Sequence, residues 1–318
     1  MSHAQEEPAL DTQNLHQGYV ELYHHGFLHI KSTTLLCAVG LGIPSAIHRR
    51  GGAATVSDLV DDTGVHPAKL PYLRRGAASC ARLPPPASSP PTTNPMPGSL
   101  VQGRRRHVPT SLFEMAHGVH PWSLTKSGAS YNAAMNDACA ADTGFAMDTM
   151  LREVGGTGIF RGLSSLVDVG GGHGAAAMAI ARAFPQVKCT VLDLEQVISE
   201  APAASSGAVQ FIADAVFIRH VLDCWDDDHC VKILRQCKRA IPTRDAGGKV
   251  IVVNLVVGYG PLDNAVKETQ VLFDMYMMRY GGAEREEHEW KKIFLEAGFS
   301  DYKITPILGF QSIIEVFP

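Results

Sequence analysis

The stretch that decides the fold is "SLVDVGGGHGAAAMAIARAFPQVKCTVLDL", residues 165–194. An apolar strand leads into a run of glycines that includes Gly170 and Gly172, and an alanine-rich helix and a second strand follow. Glycine lets a backbone turn tightly and approach a ligand without a Cβ clash. Asp193 ends the second strand, where a carboxylate can accept both hydroxyls of a ribose. The pattern predicts a nucleoside-cofactor site in a strand–turn–helix unit.

Two other interpretations of this stretch stay open on spacing alone. The first is a tight turn that holds no ligand. The second is a dinucleotide-dependent dehydrogenase, because Gly170, Gly172 and Ala175 also satisfy its looser fingerprint.

The second half of the chain alternates between apolar strand-like runs and helical patterns. The predicted strands cover residues 165–170, 188–194, 209–212, 214–222, 247–257, 302–308 and 311–318. Such alternation favours an α/β fold with a mostly parallel sheet and helices on both faces. Apolar residues at helical spacing predict helices over 14–75 and from about 110 to 154.

A proline-rich segment interrupts the first half of the chain. Residues 76–98 include Pro84, Pro85, Pro86 and Pro90, and proline lacks the N–H donor that helices and strands use. We therefore predict an N-terminal helical domain over 1–110 with a disrupted segment at 76–108. A second domain is expected over 111–318.

Composition excludes several classes of function. A net charge of −4 leaves no electrostatic footprint for nucleic acid. No apolar run reaches the length of about 18 residues that a membrane span needs, and the polar N-terminus resembles no signal peptide. The seven cysteines include no CxxC pair, which predicts buried thiols in the cytoplasm. Cys224, His229, Cys230 and Cys237 fit core packing better than zinc ligation, so no metal is expected.

The order of several longer motifs identifies a family. "LVDVGGGHGAA", "VKCTVLDL", "DAVFIRHVLDCWDDDHCVKILRQCKRAIP", "GGKVIVVN" and "GGAEREEHEWKKIFLEAGF" follow one another as in plant small-molecule O-methyltransferases, and the chain resembles the caffeic acid and flavonoid type. The resemblance implies a winged-helix-like dimerisation domain before a Rossmann-like domain that binds S-adenosyl-L-methionine. It also implies a homodimer, or a heterodimer with a related methyltransferase.

The resemblance further implies methyl transfer to a phenolic hydroxyl of a small substrate. A histidine deprotonates the phenol in this family, and two carboxylates hold the imidazole in place. The cofactor-binding residues carried over are Gly170, Gly172, Asp193 and Arg219, the last at a lysine position where the charge is kept.

The catalytic motif departs from the family at its base. In "VLDCW", Asp223 stands where the family has histidine. The reference pKa of an aspartate is about 3.9 and that of a histidine is about 6.5, so the replacement costs roughly 3.5 kcal/mol of driving force for proton transfer. His220, three residues earlier, is expected to point to the opposite face of the strand. One supporting acid is replaced by the neutral Asn254. The second acid remains as Glu284, which we expect to be an acid left on the surface or in the cleft.

A cofactor loop of the family is also missing. Here "VQFIA" runs directly into "DAVFI", although the corresponding family strands lie about 14 Å apart across the sheet. Because one residue spans at most about 3.6 Å, the connection cannot close unless one strand is lost. The sequence therefore predicts a methyltransferase homologue that no longer methylates. The alternatives are an active enzyme with an altered base and a non-catalytic dimer partner of an intact relative.

Overall fold

The computed structural model of the chain describes residues 12–64, 111–154, 158–199, 201, 213–261 and 263–318. Three predicted segments lie outside the described residues: the proline-rich segment, the helical residues 65–75 and the strand 209–212. The connection that leads from that strand to residue 213 lies outside them as well, so the predictions made for these segments remain predictions.

The first part of the chain is helical, as predicted. Its helices are α1 (Thr12–Gly26), α2 (Leu28–Gly40), α3 (Ile43–Arg49), α4 (Val56–Thr63), α5 (Leu112–His117), α6 (Pro121–Ser127) and α7 (Ala129–Val154). Helix α4 begins at a capping box, in which Thr55 accepts from the Asp58 N–H and the Asp58 carboxylate accepts from the Thr55 N–H. It ends at Gly64, whose φ of 68° suits glycine.

The second part alternates between strands and helices. The elements are β1 (Ser165–Val169), α8 (Ala175–Ala183), β2 (Lys188–Leu192), α9 (Glu195–Ile198), β3 (Ala215–Arg219), α10 (Asp227–Arg239), β4 (Lys249–Asn254), β5 (Val256–Val257), α11 (Asn264–Met277), β6 (Arg285–Glu286), α12 (Glu287–Glu296), β7 (Asp301–Ile307) and β8 (Gln311–Phe317). The main sheet has the order β2-β1-β3-β4-β8-β7. Strands β2, β1, β3 and β4 are parallel, and β8 is antiparallel to β4 and β7. The predicted α/β fold is confirmed.

Each face of the sheet carries its own apolar layer, because successive strand residues point to opposite sides. One layer packs with α7, α8 and α11 and includes Phe217, Ile251, Val253 and Ile313. The other layer packs with α10 and α12 and includes Val216, Ile218, Val252 and Ile314. The buried strands therefore have near-continuous apolar sequences.

Helix α1 belongs to the core of the sheet. Tyr19 is 1% exposed, its ring stacks on Phe310 at 5.3 Å, and its hydroxyl accepts from Gln311 Nε2 at 3.1 Å. Helices α2 to α4 instead share a small apolar cluster built around Ile43 and Leu59. The N-terminal helical region is confirmed, whereas its limit at residue 110 and its role in dimerisation remain predictions.

Strand β3 is shorter than the sequence predicts. A strand was expected over 214–222, but β3 ends at Arg219 and a 3-10 turn covers Leu222–Cys224. At His220 the backbone turns with φ at 49°, a left-handed conformation that histidine adopts more readily than most residues. The prediction that His220 and Asp223 point to opposite faces is wrong, because the two residues are not part of one strand.

The cysteines follow the sequence prediction in part. Cys230 and Cys237 are buried on α10 in the apolar layer, as core packing requires, whereas the absence of zinc remains a prediction. Cys139 is exposed, so the expectation of uniformly buried thiols is wrong at that position. Location in the cytoplasm remains a prediction.

No single helix within the described ranges is long and apolar enough to cross a membrane. Helices α2 and α3 meet the length and composition requirement only as a pair, across a bend of 54°.

Candidate active site

The predicted site residues meet at the carboxyl ends of the parallel strands. Strand β1 lies between β2 and β3 in the sheet. The connection after β1 leads to β2 on one side, and the connection after β2 leads to β3 on the other side of β1. Ligands of α/β sheets bind in the crevice at such a switch point. The glycine turn follows β1, Asp193 follows β2, and Arg219 ends β3.

The glycine turn has the geometry that the sequence predicts. Gly170 has φ at 70° and donates its N–H to the Leu192 carbonyl at 2.8 Å. Gly172 has φ at 58° and donates its N–H to Asp193 Oδ2, also at 2.8 Å. A Cβ on Gly172 would meet nothing within 4 Å, so space for a ligand remains beside this residue. Asp193 therefore lies next to the turn, as expected for a cofactor site.

A buried acid beneath the turn was missed by the sequence analysis. Asp168 on β1 is 1% exposed, and a Cβ on Gly171 would lie 2.6 Å from its carboxyl group. Burial raises the pKa of Asp168 to about 7, although the backbone N–H of Ala177 opposes the shift. A charged residue within the apolar run "SLVDVG" was the signal that could have found it.

Arg219 makes an ion pair with α7. Its Nη2 donates to Asp142 Oδ2 at 2.6 Å, and its Nη1 donates to Thr143 Oγ1 at 3.0 Å. Asp142 Oδ1 also accepts from the Tyr19 and Tyr23 hydroxyls, at 3.1 and 2.6 Å. Only Nε of this buried guanidinium has no partner. The charge predicted to serve the cofactor is thus compensated within the protein.

Asp223 is buried and contacts His220. The side chain is 1% exposed, and its Oδ2 lies 2.8 Å from His220 Nδ1. Burial opposes ionisation, but the charge and hydrogen bond of His220 outweigh it and lower the pKa of Asp223. Because an ionised carboxylate only accepts, this contact places a proton on Nδ1. The ring of His220 stacks on Phe273 at 5.4 Å, and its Nε2 is buried without a partner.

Glu284 lies in the interior beside Asp223, so its expected position as a surface or cleft acid is wrong. Gly282 permits this placement, since a Cβ there would lie 1.8 Å from the Asp223 carbonyl oxygen. The Glu284 side chain is 0% exposed, and neither of its carboxylate oxygens has a hydrogen-bond partner. Burial, followed by the nearby Asp223 and Asp274 carboxylates, raises the pKa of Glu284 well above its usual value.

Asn254 completes the set of predicted positions. It is fully buried at the end of β4, and neither atom of its amide group has a partner. The preceding residue, Val253, accepts the His220 N–H at 3.2 Å. Asn254 therefore lies next to the backbone that holds His220 and carries no charge, and its correspondence to a family acid remains a prediction.

A parallel sheet with a glycine turn after its first strand and an acid after its second defines a Rossmann-like nucleoside-binding domain. The same fold occurs in the crystal structure of the O-methyltransferase NcsB1 from neocarzinostatin biosynthesis, in complex with S-adenosyl-L-homocysteine and 1,4-dihydroxy-2-naphthoic acid. The two chains are 21% identical with a TM-score of 0.51, and the match covers 90% of this chain and 95% of NcsB1.

The sequence comparisons define the family. Residues 99–300 match the model of the O-methyltransferase domain. The chain is 46% identical over 367 residues to acetylserotonin O-methyltransferase 3 of Oryza sativa subsp. japonica, covering 99% of this chain and 98% of that protein. It is 39% identical over 371 residues to 5-pentadecatrienyl resorcinol O-methyltransferase of Sorghum bicolor, covering 97% and 98%. The chain belongs to the O-methyltransferase family.

These findings confirm the resemblance and the cofactor class stated from the sequence. The chain is a homologue of the plant S-adenosyl-L-methionine-dependent O-methyltransferases that act on phenolic substrates. The alignment with the rice protein spans 367 residues, more than the 318 of this chain, so the relative contains residues that this chain lacks.

Proposed function

We propose that this protein retains the methyltransferase architecture but no longer methylates phenols. The observation that carries the proposal is the state of Asp223, which occupies the position of the family's base. Its carboxylate is 1% exposed and its Oδ2 already accepts from His220, so it is poorly placed to take a proton from a bound phenol. A general base has to lie within hydrogen-bond reach of the proton that it removes.

The neighbouring positions support the same proposal. Asn254 is neutral where the family has an acid, and the pKa of Glu284 is raised well above its usual value, mainly by burial. In the family, two carboxylates stabilise the imidazolium. Here one of these two positions carries an amide, and the other carries an acid that favours its neutral form. Loss of a positioned base alone lowers a rate by about 10²- to 10⁴-fold.

Cofactor binding is proposed to be weaker than in intact relatives. Gly170, Gly172 and Asp193 keep the geometry of a nucleoside site, and the open space beside Gly172 fits a ligand. Arg219, however, is paired with Asp142. The predicted loss of the family's cofactor loop before β3 adds to this.

The test is methyl transfer from isotopically labelled S-adenosyl-L-methionine to a panel of phenols and flavonoids. We expect no product above the protein-free background. A thermal shift with the cofactor alone measures binding separately, since a ligand that binds the native state stabilises it. Turnover that disappears in the Asp223→Ala variant would reject the proposal.

A second candidate function is methyl transfer with His220 as the base. The specific observation in its favour is the pair of His220 and Asp223, in which the carboxylate holds Nδ1 and leaves Nε2 without a partner. This arrangement orients an imidazole as catalytic carboxylates do. Turnover that falls in His220→Gln and survives in the remote variant His229→Gln would favour this function.

Dimerisation through the N-terminal helices is also a proposal. Large apolar side chains on α1 and α2 are exposed, with Leu22 at 67%, Leu36 at 72% and Val39 at 59%. Exposed apolar side chains that share a surface patch mark interaction sites. A homodimer would cover it, and a heterodimer with a related methyltransferase would use the same surface. Light scattering during size-exclusion chromatography distinguishes a dimer from a monomer.

A further inference from the structure

We propose that His220, Asp223 and Glu284 form a binding site for a divalent transition-metal cation. Each residue offers one ligand atom, and these atoms all lie within 4.8 Å of one another. His220 and Asp223 lie three residues apart in the turn after β3, and the segment before β6 brings Glu284 to them. The inference does not depend on methyl transfer or on cofactor binding.

The cluster contains two buried acids with unpartnered carboxyl oxygens. Asp223 and Glu284 are 1% and 0% exposed, and Asp223 Oδ1 and both Glu284 carboxylate oxygens have no partner. Buried charged groups are costly unless they are paired or bind a metal. These unpartnered oxygens are a separate observation from the clustering itself, and they show that the site can accept another group.

The nearby cation does not fill this need. Arg285 directs its Nε to Asp227 at 2.9 Å, and its Nη atoms donate to the carbonyls of Leu222 and Trp225 at 3.0 and 2.7 Å. Its donors are therefore directed away from the two carboxylates. His220 contacts Asp223 through one nitrogen and leaves the carboxyl oxygens of Glu284 without a hydrogen-bond partner.

The ligand set indicates the class of metal. One imidazole with two carboxylates suits Zn²⁺, Mn²⁺ or Fe²⁺ better than an all-oxygen Mg²⁺ site, because imidazole favours transition metals. Metal binding would displace the proton of Glu284, and the two ionised carboxylates would then balance the charge of a divalent ion. Three protein ligands also leave positions open for water, as in catalytic zinc sites.

The framework holds these ligands in place. The Glu284 N–H donates to Asp274 Oδ1 at 2.8 Å, and the Ala283 N–H donates to the Asp223 carbonyl at 3.0 Å. Phe273 stacks on the His220 ring. A metal would replace the proton on Nδ1 or bind at the free Nε2, and binding would release protons from the ligands.

The experiment is calorimetric titration of the chelator-treated full-length chain with ZnCl₂, MnCl₂ and MgCl₂, without S-adenosyl-L-methionine. We expect saturable binding at one equivalent for Zn²⁺ or Mn²⁺ and weaker binding of Mg²⁺. The Glu284→Gln variant, which keeps the side-chain shape, is expected to bind at least about tenfold more weakly. Glu287→Gln removes a carboxylate outside the cluster and is expected to bind as the unchanged protein does.

Two results would overturn the inference. One is the absence of saturable binding by the unchanged chain, which would mean that Asp223 and Glu284 share a proton instead. The other is equal affinity in Glu284→Gln and the unchanged chain, which would place the metal on surface histidines. If Glu284→Gln does not fold, as judged by circular dichroism, His220→Asn takes its place with the same expected loss.

Discussion

Replacing Gly170 and Gly172 by alanine, one at a time, tests the geometry of the glycine turn. Both residues have positive φ, at 70° and 58°, and alanine there costs about 1–2 kcal/mol. Only Gly170 is also confined, since its Cβ would lie 2.5 Å from Val221 Cγ2. Overpacking of this kind adds about 1–3 kcal/mol. We therefore expect a loss of about 2–5 kcal/mol for Gly170→Ala and about 1–2 kcal/mol for Gly172→Ala.

The assay is urea unfolding of the two variants and the unchanged chain, followed by the fluorescence of the three tryptophans, of which Trp290 is fully buried. The difference between the two glycine variants isolates the contact with Val221, because the backbone cost is shared. Equal losses in the two variants would refute the reasoning, since they would mean that Val221 moves away freely. A double variant with Val221→Ala should recover most of the difference.

Three further predictions concern charge and assembly. Asp168→Asn should stabilise the fold by up to about 4 kcal/mol at pH 8 and by little at pH 4. The pKa of Asp168 is about 7 in the folded state, so its contribution to the free energy of unfolding falls as the pH rises from about 4 to 7 and is constant above pH 7. Urea unfolding at both pH values measures this. Asp142→Asn should cost about 3 kcal/mol, since it leaves the buried Arg219 unpaired, and an unchanged melting temperature would contradict this. Leu36→Asp should shift a dimer to a monomer in light scattering, whereas Leu295→Asp, also exposed, should not.

The fold could be predicted from the sequence because its signals are local. The apolar strands of the sheet and the helix after the glycines each carry their own pattern, and their bounds agree with the structure within a few residues. The position of Asp193 beside the turn followed from the same reasoning. Parallel strands bring their carboxyl ends to one edge whatever the details of the loops.

The cluster of His220, Asp223 and Glu284 could not be predicted, because it depends on one backbone turn. A strand continued to residue 222 would separate His220 from Asp223, whereas a positive φ at His220 and the following 3-10 turn bring them together. Burial of Glu284 depends on Gly282 packing against the Asp223 carbonyl. Neither feature has a periodic signature, and both require contacts between segments distant in sequence.

The pairing of Arg219 was invisible for a similar reason. The motif places a cation at the end of β3, but its partner Asp142 lies on α7, in a helix with no distinctive pattern at that position. Sequence motifs indicate which groups are near a site. They do not show which of those groups are already neutralised by the rest of the protein.

The most direct test of the central claim is a stoichiometric methyl-transfer experiment. Purified protein is incubated for several hours with an equal amount of labelled S-adenosyl-L-methionine and an excess of phenol, and methylated product is measured by mass spectrometry. A typical turnover number of about 10 s⁻¹, reduced 10⁴-fold by loss of the base, would still convert all of the labelled S-adenosyl-L-methionine within this time. Loss of the base alone would therefore be visible as slow product formation. We expect no product, because the carboxylate of Asp223 is buried and because the chain is predicted to lack the family's cofactor loop before β3. One equivalent of methylated phenol would contradict the claim.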